Sequence, residues 1–188
     1  SQIEQNVMEK VREDALRVDV FEALKLLLVT GDALLYIPDE SGIEVFKIDH
    51  YVIQRNSMGD VLEIITKETV DLFSLPDEVQ DQVIQKNNID DVNEKEKRDE
   101  EFDLYTRIAL TESGDKWKVR QEVNEVNVEE AEGTYDYDKN PWIPLRWTAS
   151  SGDNYGRGLV EEHLGDFKTL ESLTKALVEG TTIGSRIL

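Results

Sequence analysis

Residues 152–163, GDNYGRGLVEEH, set three glycines, a tyrosine and an arginine just ahead of an apolar run. Such a turn can cradle a phosphate, shape an active site or simply aim a helix. A dinucleotide loop built on Gly156-x-Gly158 needs a third glycine at position 161, where the chain has Glu161. A carboxylate there repels a pyrophosphate, and no strand–helix–strand unit surrounds the motif. A Walker-type G-x4-G-K-[ST] is also missing. The plainer reading fits better: the glycines bend the chain, and Glu161 helps cap a helix begun near Gly158.

Other chemistry fares no better. Asp and Glu number 41, so a close carboxylate pair carries no information by itself. His50 and His163 fall on a strand edge and a helix, far apart in sequence, and read as structural. H-E-x-x-H, EF-hand and G-x-S-x-G patterns are absent. With no cysteine, thiolate nucleophiles, disulfides and thiolate metal sites are excluded. Trp117, Trp142 and Trp147 lie among strands without a cationic groove, so they read as core or interface anchors rather than base-stacking platforms. The expectation is no catalytic, cofactor-binding or metal site, and a binding or assembly module.

The elements that would position the turn follow from periodicity. Apolar residues at Val7, Val11, Ala15, Val18 and Phe21, widened by Leu24, Leu27 and Leu28, predict an amphipathic helix over 2–29. Gly31 suits the position just past its end. Strands are expected at 33–38, 43–49, 50–56 and 61–70, with Gly59 in a hairpin turn, as one antiparallel meander. A short helix follows at 75–87, then a charged stretch over 87–101 that reads as an exposed flexible loop. Strands at 102–112 and 116–126 turn at Ser113-Gly114-Asp115. Residues 133–147 read as a loop leading into a short strand, which Pro141 and Pro144 restrict to an edge or extended run. Leu164, Phe167, Leu170, Leu173 and Leu177 stripe a last helix that runs to the end of the chain. The fold class is α+β: a body over 1–150 and a long helical segment over 151–188.

Composition limits the partners. Against the 41 acids stand 21 Lys plus Arg, for a formal charge of −20 over 188 residues. That balance opposes tight non-specific grip on nucleic acid and docking on an anionic membrane. The longest apolar run, LKLLLV (24–29), is far too short to span a bilayer, and the first residues lack signal-peptide anatomy. A soluble protein is expected. It starts in mid-pattern without Met, as an excised fragment would.

Three stretches carry a family resemblance: LLLVTGDALLYIPDE (26–40), YVIQRNSMGDVLEIITKE (51–68) and NYGRGLVEEHLGDFKTLESL (154–173). With PWIPLRW (141–147) between the last two, their order resembles the portal, or head-to-tail connector, of short-tailed bacteriophages (podoviruses). The charged 87–101 stretch differs from that pattern and reads as a surface insertion. The resemblance implies a homo-oligomeric ring, typically of twelve subunits, at one capsid vertex of the virion, assembled in the host cytoplasm. Packaging motor, capsid and tail proteins would be its partners. Double-stranded DNA would pass through without sequence-specific binding during packaging and ejection, and no membrane or cofactor is involved.

By the same resemblance the body corresponds to part of the wing and the last helix to the start of the stem. Tyr155, Gly156 and Arg157 then form the wing-to-stem turn, and Asp166, Lys168, Lys175 and Glu179 are the candidate channel edge. An acidic conduit is physically sensible, since each neutralised phosphate would add affinity and slow sliding. Two other classes remain open from the residues alone: an acidic protein-binding adaptor without a channel, and a carboxylate-dependent hydrolase.

Overall fold

A computed structural model describes residues 16–38, 42–87, 101–150 and 152–184. The chain is α+β, with a helix first, antiparallel sheets in the middle and a long helix last. Helix α1 spans Leu16–Val29, and Thr30 and Gly31 close it by donating their N–H groups to Leu26 and Leu27. Gly31 adopts φ +87°, the left-handed conformation that ends helices and disfavours a side chain. Ala23 and Leu27 are buried on Ala33 and Leu35 of strand β1 (Asp32–Tyr36).

The expected core stripe of α1 is only partly a core. Val18, Phe21 and Leu24 are exposed at 67%, 59% and 48%, while Ala23 and Leu27 carry the contact. Apolar residues wrap more than one face of this helix, and the face with small Ala23 can approach the sheet most closely. On the outward face, the Lys25 ammonium lies 4.4 Å from the centre of the Phe21 ring. Val7, Val11 and Ala15 lie outside the described residues.

The single expected meander is two sheets. The first has the order β2 (Glu44–Phe46), β1, β9 (Trp142–Arg146), all antiparallel. The late strand β9 thus returns 100 or so residues to flank β1 (a separation of roughly that size is a non-local pairing). Pro144 lies opposite Leu34 in this edge strand, where a missing N–H is tolerated. A 3-10 turn at Ile48–His50 carries the chain away, so His50 belongs to the turn and not to a strand.

The second sheet runs β3 (Tyr51–Arg55), β4 (Val61–Asp71), β5 (Glu101–Leu110), β6 (Lys116–Val123), β7 (Val126–Asn127), with β8 (Gly133–Asp136) also on β6. Both expected hairpin glycines, Gly59 and Gly114, sit in turns with positive φ. Helix α2 (Asp77–Asn87) follows Pro76 and buries Val79 and Val83 against Leu72, Val123 and Val126. The reading of 87–101 as a flexible loop falls on residues 88–100, outside the described part.

One core joins the two sheets. Leu34, Phe46 and Trp142 from the first meet Tyr51, Ile53, Ile64, Ile108, Trp117 and Val119 from the second. Trp117 and Trp142 are therefore core residues, whereas Trp147 is half exposed. Within the second sheet, Thr66 is 1% exposed and its hydroxyl has no hydrogen-bond partner. Its register neighbours are Tyr51 and Thr106. Thr66→Val keeps the shape and removes the orphaned hydroxyl, so it is expected to raise stability by about 1 kcal/mol. A thermal melt checks this, and a lower melting temperature would show that the hydroxyl is used.

Candidate functional site

The turn ahead of the last helix is assembled from parts far apart in the chain. Asp32 directly follows the Gly31 helix stop, and its carboxylate is buried at 2% exposure. Both of its oxygens accept the Gly156 N–H, at 2.9 Å each, across 124 residues of sequence. Burial pushes the Asp32 carboxyl above the usual carboxylate range. The Gly156 hydrogen bond and the Arg55 and Arg146 guanidinium groups pull it back down, and Glu161 adds a smaller upward push. An acid placed in the interior with so few donors is tolerable because those groups favour its ionised form.

Neighbouring residues clamp the same turn. Tyr155 places its hydroxyl against the Ile53 N–H at 3.3 Å, and its ring sits 6.4 Å from that of Tyr51 at the edge of the core. Burial, with Asp32 nearby, drives the Tyr51 phenol well above its ordinary range. Asn154 accepts the Arg55 N–H at 2.9 Å on its side-chain oxygen, and its carbonyl accepts Arg55 Nε at 3.1 Å. Arg146 donates to the Asp153 carbonyl at 3.1 Å. Arg157 contributes its backbone: its N–H donates to the Thr148 carbonyl at 3.2 Å, while its side chain is exposed.

Three glycines allow the chain to pass this closely. A Cβ on Gly31 would lie 2.3 Å from the Arg157 carbonyl carbon and 2.4 Å from the Gly158 nitrogen. One on Gly158 would lie 2.4 Å from the Val29 carbonyl oxygen, and one on Gly156 would lie 2.8 Å from the oxygens of Gly31 and Thr148. Backbone thus packs directly on backbone where α1 ends and the last helical segment begins.

Two expectations about that segment are corrected. Gly158 is the N-cap, with no side-chain capping bond, so Glu161 does not cap. Gly158 offers no hydroxyl to complete a capping box. Glu162 instead accepts the Thr148 hydroxyl at 3.3 Å. The helix is also not continuous: α3 (Leu159–Glu162) stops at His163, and α4 runs Leu164–Gly184. His163 has φ −105° and ψ +15°, outside the helical well.

Helix α4 stands away from the body, for every residue from Glu161 to Ile183 is exposed. At about 100° of rotation per residue, Leu164, Phe167, Leu170, Leu173, Leu177 and Val178 cover an arc of about 180°. Lys168, Lys175 and Glu179 cluster within about 40° on the opposite arc, whereas Asp166 is turned about 180° away, between Leu173 and Leu177. The four do not share one edge. Asp166 instead faces His163, at 3.3 Å from its Nδ1.

The sequence reading named Tyr155, Gly156 and Arg157 for this turn and did not single out Asp32, Arg55, Thr148 or Asn154, which the structure places against it. The one available signal was Gly31-Asp32, a buried-strand start that carries an acid. Among the described residues no group of three or more His, Asp or Glu is placed to hold a metal ion. No helix among them is long and apolar enough to cross a membrane.

A family model described as bacteriophage head to tail connecting protein matches residues 1–187. The chain belongs to that family. It is 33% identical over 193 residues to the portal protein of Escherichia phage T7, covering 100% of this chain and 35% of the relative. The portal protein of Enterobacteria phage T3 is 33% identical over 192 residues, with the same coverage of 100% and 35%. For the portal protein of Enterobacteria phage SP6 the identity is 28% over 185 residues, covering 97% of this chain and 34% of the relative. The chain therefore spans about a third of the length of the curated relatives it matches.

Proposed function

We propose that this chain is part of a portal subunit, and that the intact protein forms the ring through which DNA enters and leaves a phage capsid. The carrying observation is the family membership together with a 21-residue helix whose apolar arc is exposed among the described residues. In this reading the body up to about residue 150 is wing, and the segment from Gly158 begins the stem. The apolar arc is buried between helices of the assembled ring. The opposite arc, with Lys168, Lys175 and Glu179, faces the channel, and Asp166 belongs to the buried side.

The chemistry is that of a conduit rather than of an enzyme. A formal charge of −20 keeps a polyanion from settling on the wall, and apolar contacts offset the repulsion between copies. Packaging motor, capsid and tail proteins are the partners of the intact ring, in the virion and during its assembly. Electron microscopy of the full-length protein tests this: a closed ring with a central channel is expected. A uniformly monomeric particle would instead favour a protein-binding adaptor.

A further inference from the structure

We propose that the last helix is a hinged arm whose pivot is His163, while the turn that launches it moves rigidly with the body. The question is where the chain yields when the helix is pushed. Its launching turn is the obvious candidate, being rich in glycine, but the geometry points elsewhere.

The turn is fastened on every side. Asn154, Tyr155, Gly156 and Arg157 each hold a hydrogen bond to Arg55, Ile53, Asp32 and Thr148 respectively, at 2.9–3.3 Å. Gly31, Gly156 and Gly158 lie so close to other backbone that an added Cβ would collide with it at 2.3–2.8 Å. Closely packed backbone has discrete arrangements and does not deform continuously. Helix α3 extends the rigid part, through Gly158 against Val29 and Glu162 on the Thr148 hydroxyl.

Beyond α3 every described residue up to Ile183 is exposed. Side-chain hydrogen bonds of α4 run within the segment or back to His163, as between Asp166 and His163 and from Thr169 to Gly165, Ser172 to Lys168 and Thr174 to Leu170. At the boundary His163 leaves the helical well, and Gly165 follows two residues later with open space where a Cβ would be. A non-helical residue beside a helical glycine is the least costly place to bend, since glycine weakens a helix by about 1 kcal/mol relative to alanine. The inference concerns this chain alone and stands apart from the ring proposal.

The absence of cysteine permits a direct test by paired spin labels. Lys116 on β6 gives a body reference. Labels at Lys116→Cys with Glu161→Cys span body to α3, and labels at Lys116→Cys with Glu171→Cys span body to α4. A pair at Lys168→Cys and Lys175→Cys reports the straightness of α4 itself. The first and third distance distributions should be narrow and the second at least about twofold broader. Adding His163→Ala and Gly165→Ala, which favour an unbroken helix, should narrow the second towards the first. An equally broad first distribution places the pivot at the turn and overturns the proposal. So does a narrow second distribution in the parent chain, or a broad one that the double substitution leaves unchanged.

Discussion

Replacing Gly158 with alanine is expected to lower the melting temperature by about 6–12 °C, from a loss of about 3 kcal/mol. The backbone conformation at 158 is φ −79°, ψ 156°, which alanine adopts freely, so the penalty comes from space alone. The new methyl would meet the Val29 carbonyl at 2.4 Å and the Gly31 nitrogen at 2.8 Å. Both are backbone atoms at a helix end and cannot rotate aside. Relief requires that α3 lift off α1, which also draws Gly156 away from the buried Asp32 carboxylate. Hydrogen exchange at the Gly156 amide should therefore accelerate together with the loss in stability. Gly133→Ala, where an added Cβ meets nothing within 4 Å, is the matched control and should change little. A Gly158→Ala protein that melts like the control would show that the close approach has room to relax.

Trp142→Ala is expected to remove about 3–5 kcal/mol, the range for deleting a large buried aromatic. The ring is 8% exposed, stacks on Tyr36 at 4.6 Å between centroids and meets the edge of Tyr135 at 5.9 Å. Tyr36 and Trp142 belong to the first sheet and Tyr135 to the second, so the indole bridges them. Its removal should also weaken the coupling between sheets, and denaturant unfolding should split or broaden. Trp147→Ala, at a half-exposed position, should cost under about 1 kcal/mol. Equal losses for the two tryptophans would contradict the place given to Trp142 in the core.

What could be read from the sequence was local. The stop of α1 at Gly31, the turns around Gly59 and Gly114 and the confinement of Pro144 to an edge strand are each set by a few neighbouring residues. The division into two sheets was hidden because β9 pairs with β1 across most of the chain, and no short pattern announces such a partner. Asp32 was hidden for the same reason: after a glycine it reads as a turn acid, and only the fold brings Gly156 to it. The two-piece last helix turns on the backbone of one histidine, which periodicity cannot see. The face of Asp166 was a different case. A step of two residues rotates by about 200°, so the sequence itself separates Asp166 from Lys168.

The hydrogen bonds that Asn154 and Tyr155 make to Arg55 and Ile53 have a consequence for the order of events during synthesis. Strand β3 lies at the margin of its sheet, and these two residues occupy amides on its free side. They are translated about 100 residues after the strand, which at ~5–20 residues per second is a delay of roughly 5–20 s. Throughout that interval the strand has open backbone donors, the feature through which nascent chains stick to one another. The arrival of the tyrosine and asparagine closes it. The same short segment that later launches the helix thus acts first as a seal, and a released chain truncated before residue 154 should be markedly more prone to aggregate than one truncated after residue 158.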